Sequence, residues 1–501
     1  MILHATISFI MIIPLMFFFE RIRTRKSALL LGSLLAVFLL KGLVFAAILP
    51  IFQGPDEQLH YAAVQKHAYP RIQKISKLPK DNDMYVLRIP EETATTAKKT
   101  QLYELRFDPA KTQHFSDTSE GIFEAEIRDN AWSRTLPKNL PSDIPPTKLL
   151  YYKIGAVIER TLSNQDIFTR FFSLRFLSVL FGTIIIFLSY FIVKKIGFSE
   201  KYSLILAAII AFQPMFSTTA AIVNPDILLV LAFTLYTYAA VSLLKEGLRP
   251  LPTLILFASI ALGIISKGPG IVLAITTCFL FVFLGYRSFA IPLKSYIAYV
   301  AAASILLGLL IFSIVPTSYF MGIVGASAPS KFPSFSTSLA RYAEETISPE
   351  RTFITVASYW GHFGWLDARL PKNMVNVILI LELSLFFLVI PFTLLRKKYP
   401  EYLPEKRFVV FLLGMIVALQ LAIRFYDWRV FDYSGTIGIG TPGRYFLPNI
   451  AAHMILFVIG AKLLFFHKKR SFEILLKTML ILMVTLNLYS IFHVIIPRYY
   501  L

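Results

Sequence analysis

Phe176-Leu-Ser-Val-Leu-Phe-Gly-Thr-Ile-Ile-Ile-Phe-Leu-Ser-Tyr-Phe-Ile-Val193 runs for eighteen residues without a charge and is closed at once by Lys194-Lys195. A helix rises about 1.5 Å per residue, so about 20 such residues cross a hydrocarbon core of about 30 Å. Comparable runs recur along the chain, at 2–19, 28–52, 170–193, 202–223, 226–244, 251–266, 269–285, 295–316, 374–395, 407–424, 446–466 and 472–496. The expectation is an all-α polytopic membrane protein of about twelve helices. The run at 251–266 is short. The run at 2–19 competes with a signal peptide, but it lacks a basic leading segment and a small-residue cleavage site, so a retained helix is expected.

Composition agrees. The 501 residues are 56% hydrophobic and 16% charged, with a mean hydropathy of +0.64. Soluble domains hold about 45–50% apolar and about 25% charged residues, so a soluble array and a disordered chain are both excluded. The net charge of +20 would suit nucleic acid, but its location argues otherwise. Every second connection is short and basic: Arg21-Ile22-Arg23-Thr24-Arg25-Lys26, Lys194-Lys195 with Lys201, Lys245 with Arg249, Arg287 with Lys294, Arg396-Lys397-Lys398 with Lys406-Arg407, and Lys468-Lys469-Arg470. The positive-inside rule places all six in the cytoplasm. Membrane lipids, not nucleic acid, are the expected partners, and the cytoplasmic membrane is the expected location. The single cysteine, Cys278, excludes a disulfide framework and a cysteine metal site. The 45 Phe residues suit lipid-facing surfaces and grooves for a long hydrocarbon.

The remaining connections then face outward. The expected organisation is two N-terminal helices (1–52), an outward loop with an acidic motif (53–168), a helix bundle (169–316), a second outward loop (317–370) and C-terminal helices (371–501). A third outward connection, 425–445, is of medium length. The first loop carries 16 Lys+Arg and 16 Asp+Glu, the balance of a folded surface, and is expected to be mixed in structure.

The first outward loop opens with Ile-Phe-Gln-Gly-Pro-Asp-Glu-Gln-Leu-His, residues 51–60. Pro55 suits the first helical position, so a short helix is expected from Pro55 to about Ala68, with Asp56 and Glu57 in its first turn. The helix dipole favours their ionised form. An ionised carboxylate at the membrane surface is what a general base requires. The plainer reading is helix capping. His60 and His67 fall on the same helical face as Asp56, which makes Asp56, His60 and His67 a weak candidate set for a metal ion.

Gly-Pro-Asp-Glu-x-x-His after an early membrane helix resembles a bacterial membrane family that itself resembles the C-type (GT-C) glycosyltransferases. Further segments match it in order: Ile144-Pro145-Pro146 through Tyr151-Tyr152, Gln213-Pro214-Met215-Phe216 through Val223-Asn224-Pro225-Asp226, Ser358-Tyr359-Trp360-Gly361-His362-Phe363-Gly364-Trp365-Leu366-Asp367, and Pro442-Gly443-Arg444-Tyr445-Phe446-Leu447-Pro448. Pro442 stands where the family pattern has Gln. The resemblance covers about residues 40–460. It implies an acid of the first outward loop that activates an acceptor, and a sugar donor carried on a polyprenyl phosphate. Carried over by motif, Asp56 is the candidate catalytic base and Glu57 its neighbour.

Other charges lie where membrane and outward loops meet. Asp226 opens a helix; it is either a first-turn acid or a second site acid. Lys267, in Ser266-Lys267-Gly268-Pro269-Gly270, suits a lipid phosphate or simple snorkelling. Arg444 has the fork geometry for phosphate, and Tyr445 follows it. His362 and Tyr359 join that group if the loops converge. Trp360 and Trp365 read first as interfacial anchors. Lys41 and Glu382 fall inside apolar runs, where charges are costly and usually paired or functional; an ion pair between them is one guess. Gly438-Ile439-Gly440-Thr441-Pro442-Gly443 matches a dinucleotide fingerprint, but no strand–turn–helix unit surrounds it. No P-loop, H-E-x-x-H or G-x-S-x-G is present.

The expectation is therefore an integral-membrane glycosyltransferase. It would move a sugar from a polyprenyl-phosphate or pyrophosphate donor to a glycan, lipid or protein acceptor outside the cytoplasm. The sequence names no cofactor for this chemistry, and a divalent metal is left open. The alternatives are a flippase or exporter of lipid-linked glycans, or a polymerase or ligase that joins them. A transporter carries polar groups through the midplane, whereas most charges singled out here lie at the outer ends.

Overall fold

A computed structural model describes residues 25–69, 75–77, 88–105, 127, 150–288, 329–398, 403–437, 442–465 and 468–500. The expected spans at 2–19 and 295–316 and most of the Gly438–Gly443 segment lie outside these residues.

Helix α1 is Arg25–Ile48 and α2 is Glu57–Ala68. Strands β1 (Ile75–Lys77) and β2 (Arg88–Pro90) pair antiparallel, Ile75 opposite Pro90, and α3 (Glu91–Lys99) follows directly. Then come α4 (Leu150–Thr161), α5 (Ile167–Ile196), α6 (Glu200–Ala211), α7 (Pro214–Thr219), α8 (Asp226–Glu246), α9 (Pro250–Ser266) and α10 (Ile271–Ser288). The second part holds α11 (Phe335–Thr346), α12 (Pro349–Trp360) and a small antiparallel hairpin of β3 (His362–Phe363) and β4 (Ala368–Arg369). It ends with α13 (Lys372–Val389), α14 (Lys406–Ser434), α15 (Ile450–Leu464) and α16 (Lys469–Tyr489).

Among the described residues, 7 helices are long and apolar enough to cross a membrane, and α9 and Gly268–Phe281 are shorter apolar helices. The chain is thus an all-α multi-pass membrane protein. Central helix α8 packs against α5 and α9 and is buried along almost its whole length, as a helix apolar on every side must be. Helices α1, α13, α14 and α16 sit outside it. They expose Leu29, Leu40, Ile380, Phe387, Leu421 and Ile481, a scale of apolar exposure that suits lipid and not water.

The run at 202–223 is not one continuous helix. Pro214 brings no N–H to the helical ladder, so the chain breaks between α6 and α7. Gln213 caps α7 by accepting from the Phe216 N–H. Lys41 Nζ, on α1, donates to the freed Ala211 carbonyl and to Ser217 Oγ, the latter at 2.5 Å. The rings of Phe38 and Phe212 lie 4.9 Å from the ammonium. The Lys41–Glu382 pair suggested by the sequence is therefore not formed. Glu382 instead accepts from Trp360 Nε1 at 2.9 Å and pairs with His453 Nε2 at 2.8 Å.

Outside the spans, a buried network fastens α2, α3 and α4 to the first turn of α5. Arg170 pairs with Glu92 and Glu159. Its Nη1 also donates to Tyr61 Oη at 3.1 Å, and Gln65 Nε2 donates to Glu92 Oε2 at 2.7 Å. Arg498, near the C-terminus, pairs with Asp367 at 2.7 Å and donates to the Leu105 carbonyl at 3.2 Å. The segments that carry Leu105 and Asp367 are thus joined to the last described helical turn.

Candidate functional site

The turn between α1 and α2 sets the first acid. Phe52 and Asp56 both adopt left-handed backbone, with φ 66 and 60, which costs an L-residue about 1–2 kcal/mol and which Asp tolerates better than Phe. The helix expected from Pro55 starts at Glu57. Asp56 is its N-cap residue but makes no side-chain capping bond. The carboxylate is consequently left free of the helix and 43% exposed. It faces Arg444 Nη2 at 3.5 Å, longer than a firm charge-assisted hydrogen bond.

Arg444 sits in the 3-10 turn Gly443–Asn449 that leads into α15. Its Nε has no hydrogen-bond partner among the described residues. The guanidinium lies 5.4 Å from the Tyr445 ring centre, and Lys267 Nζ lies 5.2 Å from the same ring. Lys267 also pairs with Asp226, whose backbone N–H donates to Asn224 Oδ1 at 2.7 Å. The link Gly268–Gly270 between α9 and α10 folds back so tightly that a Cβ on Gly270 would meet the Gly263 backbone of α9, and Lys267 opens this link. Burial alone would lower the Lys267 ammonium; the neighbouring Asp226 and Tyr445 outweigh it and hold its pKa above the usual lysine value.

His60 completes the group. Its Nδ1 is 2.8 Å from Tyr152 Oη, and the two rings stack. Burial pushes the imidazole down to about 4; Asp56 and Asp226 oppose this, and Lys267 and Arg444 add to it. Unfolding restores the ordinary value of 6.5, so the unfolded chain binds the proton more readily. Stability present above about pH 6.5 is then lost as pH falls toward 4. Thermal unfolding of His60→Gln is expected to show a smaller loss of Tm between pH 7 and pH 4.5 than the wild type.

Six residues singled out from the sequence thus stand together: Asp56, His60, Asp226, Lys267, Arg444 and Tyr445. Glu57 lies behind them, wholly buried, with both oxygens occupied. Oε1 accepts from Arg175 Nε at 2.9 Å and from the Val223 N–H at 2.8 Å. Oε2 accepts from Arg175 Nη2 at 2.6 Å and from the Gly54 N–H at 2.9 Å. These bonds hold the α1–α2 turn and the Val223 turn to α5. His362 lies in the β3–β4 hairpin; burial, with Arg369 acting in the same direction, pushes it down to about 4. The candidate metal face is not assembled: among the described residues no three His, Cys, Asp or Glu groups stand where they would hold a metal ion. His60 directs Nδ1 to Tyr152 instead.

Sequence reasoning did not nominate Arg175 or Tyr152. Arg175 carried a usable signal, since it is an arginine inside an apolar span. Tyr152 had none beyond its place in a motif.

The backbone around Arg444 is fixed by close approach. The Gly443 N–H donates to Ser358 Oγ at 2.5 Å, and a Cβ on Gly443 would meet the α12 backbone at Thr355 and Tyr359. Gly443→Ala is expected to lower unfolding stability by about 1–3 kcal/mol, the usual cost of overpacking, read by thermal unfolding in detergent.

These features define a multi-pass α-helical membrane protein with a mixed acidic and basic cluster at the ends of its spans. The chain belongs to the family described as predicted membrane protein (DUF2142), which matches residues 38–486. No curated protein matches it.

Proposed function

We propose that the protein is an integral-membrane glycosyltransferase of the GT-C type, acting on the extracytoplasmic side of the cytoplasmic membrane. The observation that carries this reading is the grouping of an exposed carboxylate, Asp56, with two cations, Arg444 and Lys267, at the ends of apolar spans. The donor is a polyprenyl-phosphate sugar and the acceptor a cell-envelope glycan, lipid or protein. Arg444 and Lys267 receive the donor phosphate. The 3.5 Å contact between Arg444 and Asp56 is weak enough for phosphate to take the guanidinium and release the carboxylate. Asp56 removes the acceptor hydroxyl proton as that oxygen bonds to the anomeric carbon. The carbon–oxygen bond to phosphate breaks, and the cations stabilise the departing polyprenyl phosphate. A single displacement inverts the anomeric centre. Asp226 holds Lys267 in place, and His60, neutral at pH 7, orients the acceptor through Tyr152.

The experiment is a panel of polyprenyl-phosphate monosaccharides added to the protein in nanodiscs with cell-envelope acceptors. One donor is expected to yield free polyprenyl phosphate. Binding of donors with no release in the presence of every acceptor would contradict transfer.

A second reading, export or flipping of lipid-linked glycans, draws on polar groups inside the bundle. Lys41, Ser217 and Asn487 form one group; Tyr359, His453, Glu382 and Trp360 form another. The second is closed by its own partners; the first serves the α6–α7 break and leaves Asn487 Oδ1 without a partner among the described residues. A transport path calls instead for groups open to cargo, so transfer is the stronger reading.

A further inference from the structure

Gln53 lies three residues before Asp56 and is 0% exposed, yet neither Nε2 nor Oε1 has a hydrogen-bond partner among the described residues. Leaving a buried polar group unsatisfied costs about 1–3 kcal/mol, and positions so enclosed normally hold apolar side chains. The backbone around it is strained as well. Among the described residues four non-glycine residues have positive φ, and three of them, Phe52, Asp56 and Leu366, lie in two segments. Those segments are joined, because Trp365 Nε1 donates to the Phe52 carbonyl at 3.1 Å. Strain gathered in this way marks sites where a fixed arrangement is needed. The second segment also carries His362, 6% exposed, whose ring approaches the Leu366 backbone and has no side-chain hydrogen-bond partner among the described residues.

We propose that Gln53 and His362 bind the sugar ring of the donor. This rests on the glycosyltransferase reading and extends it to the part of the substrate that the cations do not hold. The chemistry selects the ligand class. A carboxamide offers two donors and an acceptor, and a neutral imidazole one of each. Together they suit uncharged hydroxyls that both give and accept hydrogen bonds. A phosphate, with acceptors only, is served by Arg444 and Lys267. The turn that strains Phe52 and Asp56 then has one purpose: it presents Gln53 to the sugar and Asp56 to the acceptor within a single short segment.

The test is Gln53→Leu, with Gln53→Met as a second variant of similar volume. Removing an unsatisfied amide leaves the unfolding midpoint at or above the wild-type value. Donor KM is expected to rise at least tenfold, while inhibition by sugar-free polyprenyl phosphate keeps its wild-type Ki. Wild-type KM and kcat in both variants overturns the sugar site and leaves the transferase reading standing. An equal loss of affinity for donor and sugar-free polyprenyl phosphate also overturns it, because the residue then acts on the phosphate or on the fold. A wild-type protein that turns over no donor overturns the transferase reading and the sugar site together.

Discussion

Asp56→Asn is expected to lower the rate of sugar transfer by about a thousandfold, within the 10²–10⁴ that a positioned general base supplies, while the protein stays folded. Asn tolerates left-handed backbone as Asp does, so the turn with φ 60 at residue 56 is retained. The side chain makes no capping bond, and its pair with Arg444, at 3.5 Å and 43% exposed on the Asp56 side, is of the kind worth about 0–1 kcal/mol. Initial rates and thermal unfolding taken on one preparation separate the two effects. Normal turnover would remove Asp56 from the mechanism.

Its neighbour is expected to behave in the opposite way. All of the Arg175 donors are engaged: Nε and Nη2 with Glu57, Nη1 with the Ala46 and Leu49 carbonyls, and Nη2 also with the Pro50 carbonyl. Both side chains are 0% exposed. Removing one member strands a buried charge, which costs about 3–5 kcal/mol. Glu57→Gln and Arg175→Met are each expected to lose that much, seen as reduced folded yield and a lower unfolding midpoint. The double variant Glu57→Met/Arg175→Met is expected to recover part of it, since neither charge is then left unpaired. A Glu57→Gln protein of wild-type stability that is as inactive as Asp56→Asn would make Glu57 a direct participant in the chemistry.

Much of the frame was legible because membrane spans announce themselves locally. Runs such as 170–193 and 226–244 carry their own evidence in length and polarity, and the turn residues Asp226, Lys267 and Arg444 were visible as charges at their ends. Their convergence was not legible, since it depends on α8, α9 and the Gly443–Asn449 turn meeting in space. The same limit explains the corrections. Helix α2 starts at Glu57 and not at Pro55 because the backbone at Asp56 is left-handed, which no local propensity foretells. Glu57 and Arg175 are 118 positions apart, and only tertiary packing pairs them. Lys41 is a costly charge in an apolar run, but its partner is a carbonyl freed by the break at Pro214, not another charge.

The most direct test of the central claim is to follow a donor labelled separately in the sugar and in the phosphate, with acceptor, in sealed proteoliposomes. For the wild type the two labels are expected to part, the sugar to acceptor and the phosphate to free polyprenyl phosphate, and for Asp56→Asn to stay together. Labels that remain joined in both proteins, whether or not the donor crosses the bilayer, would contradict a transferase that uses Asp56 as its base.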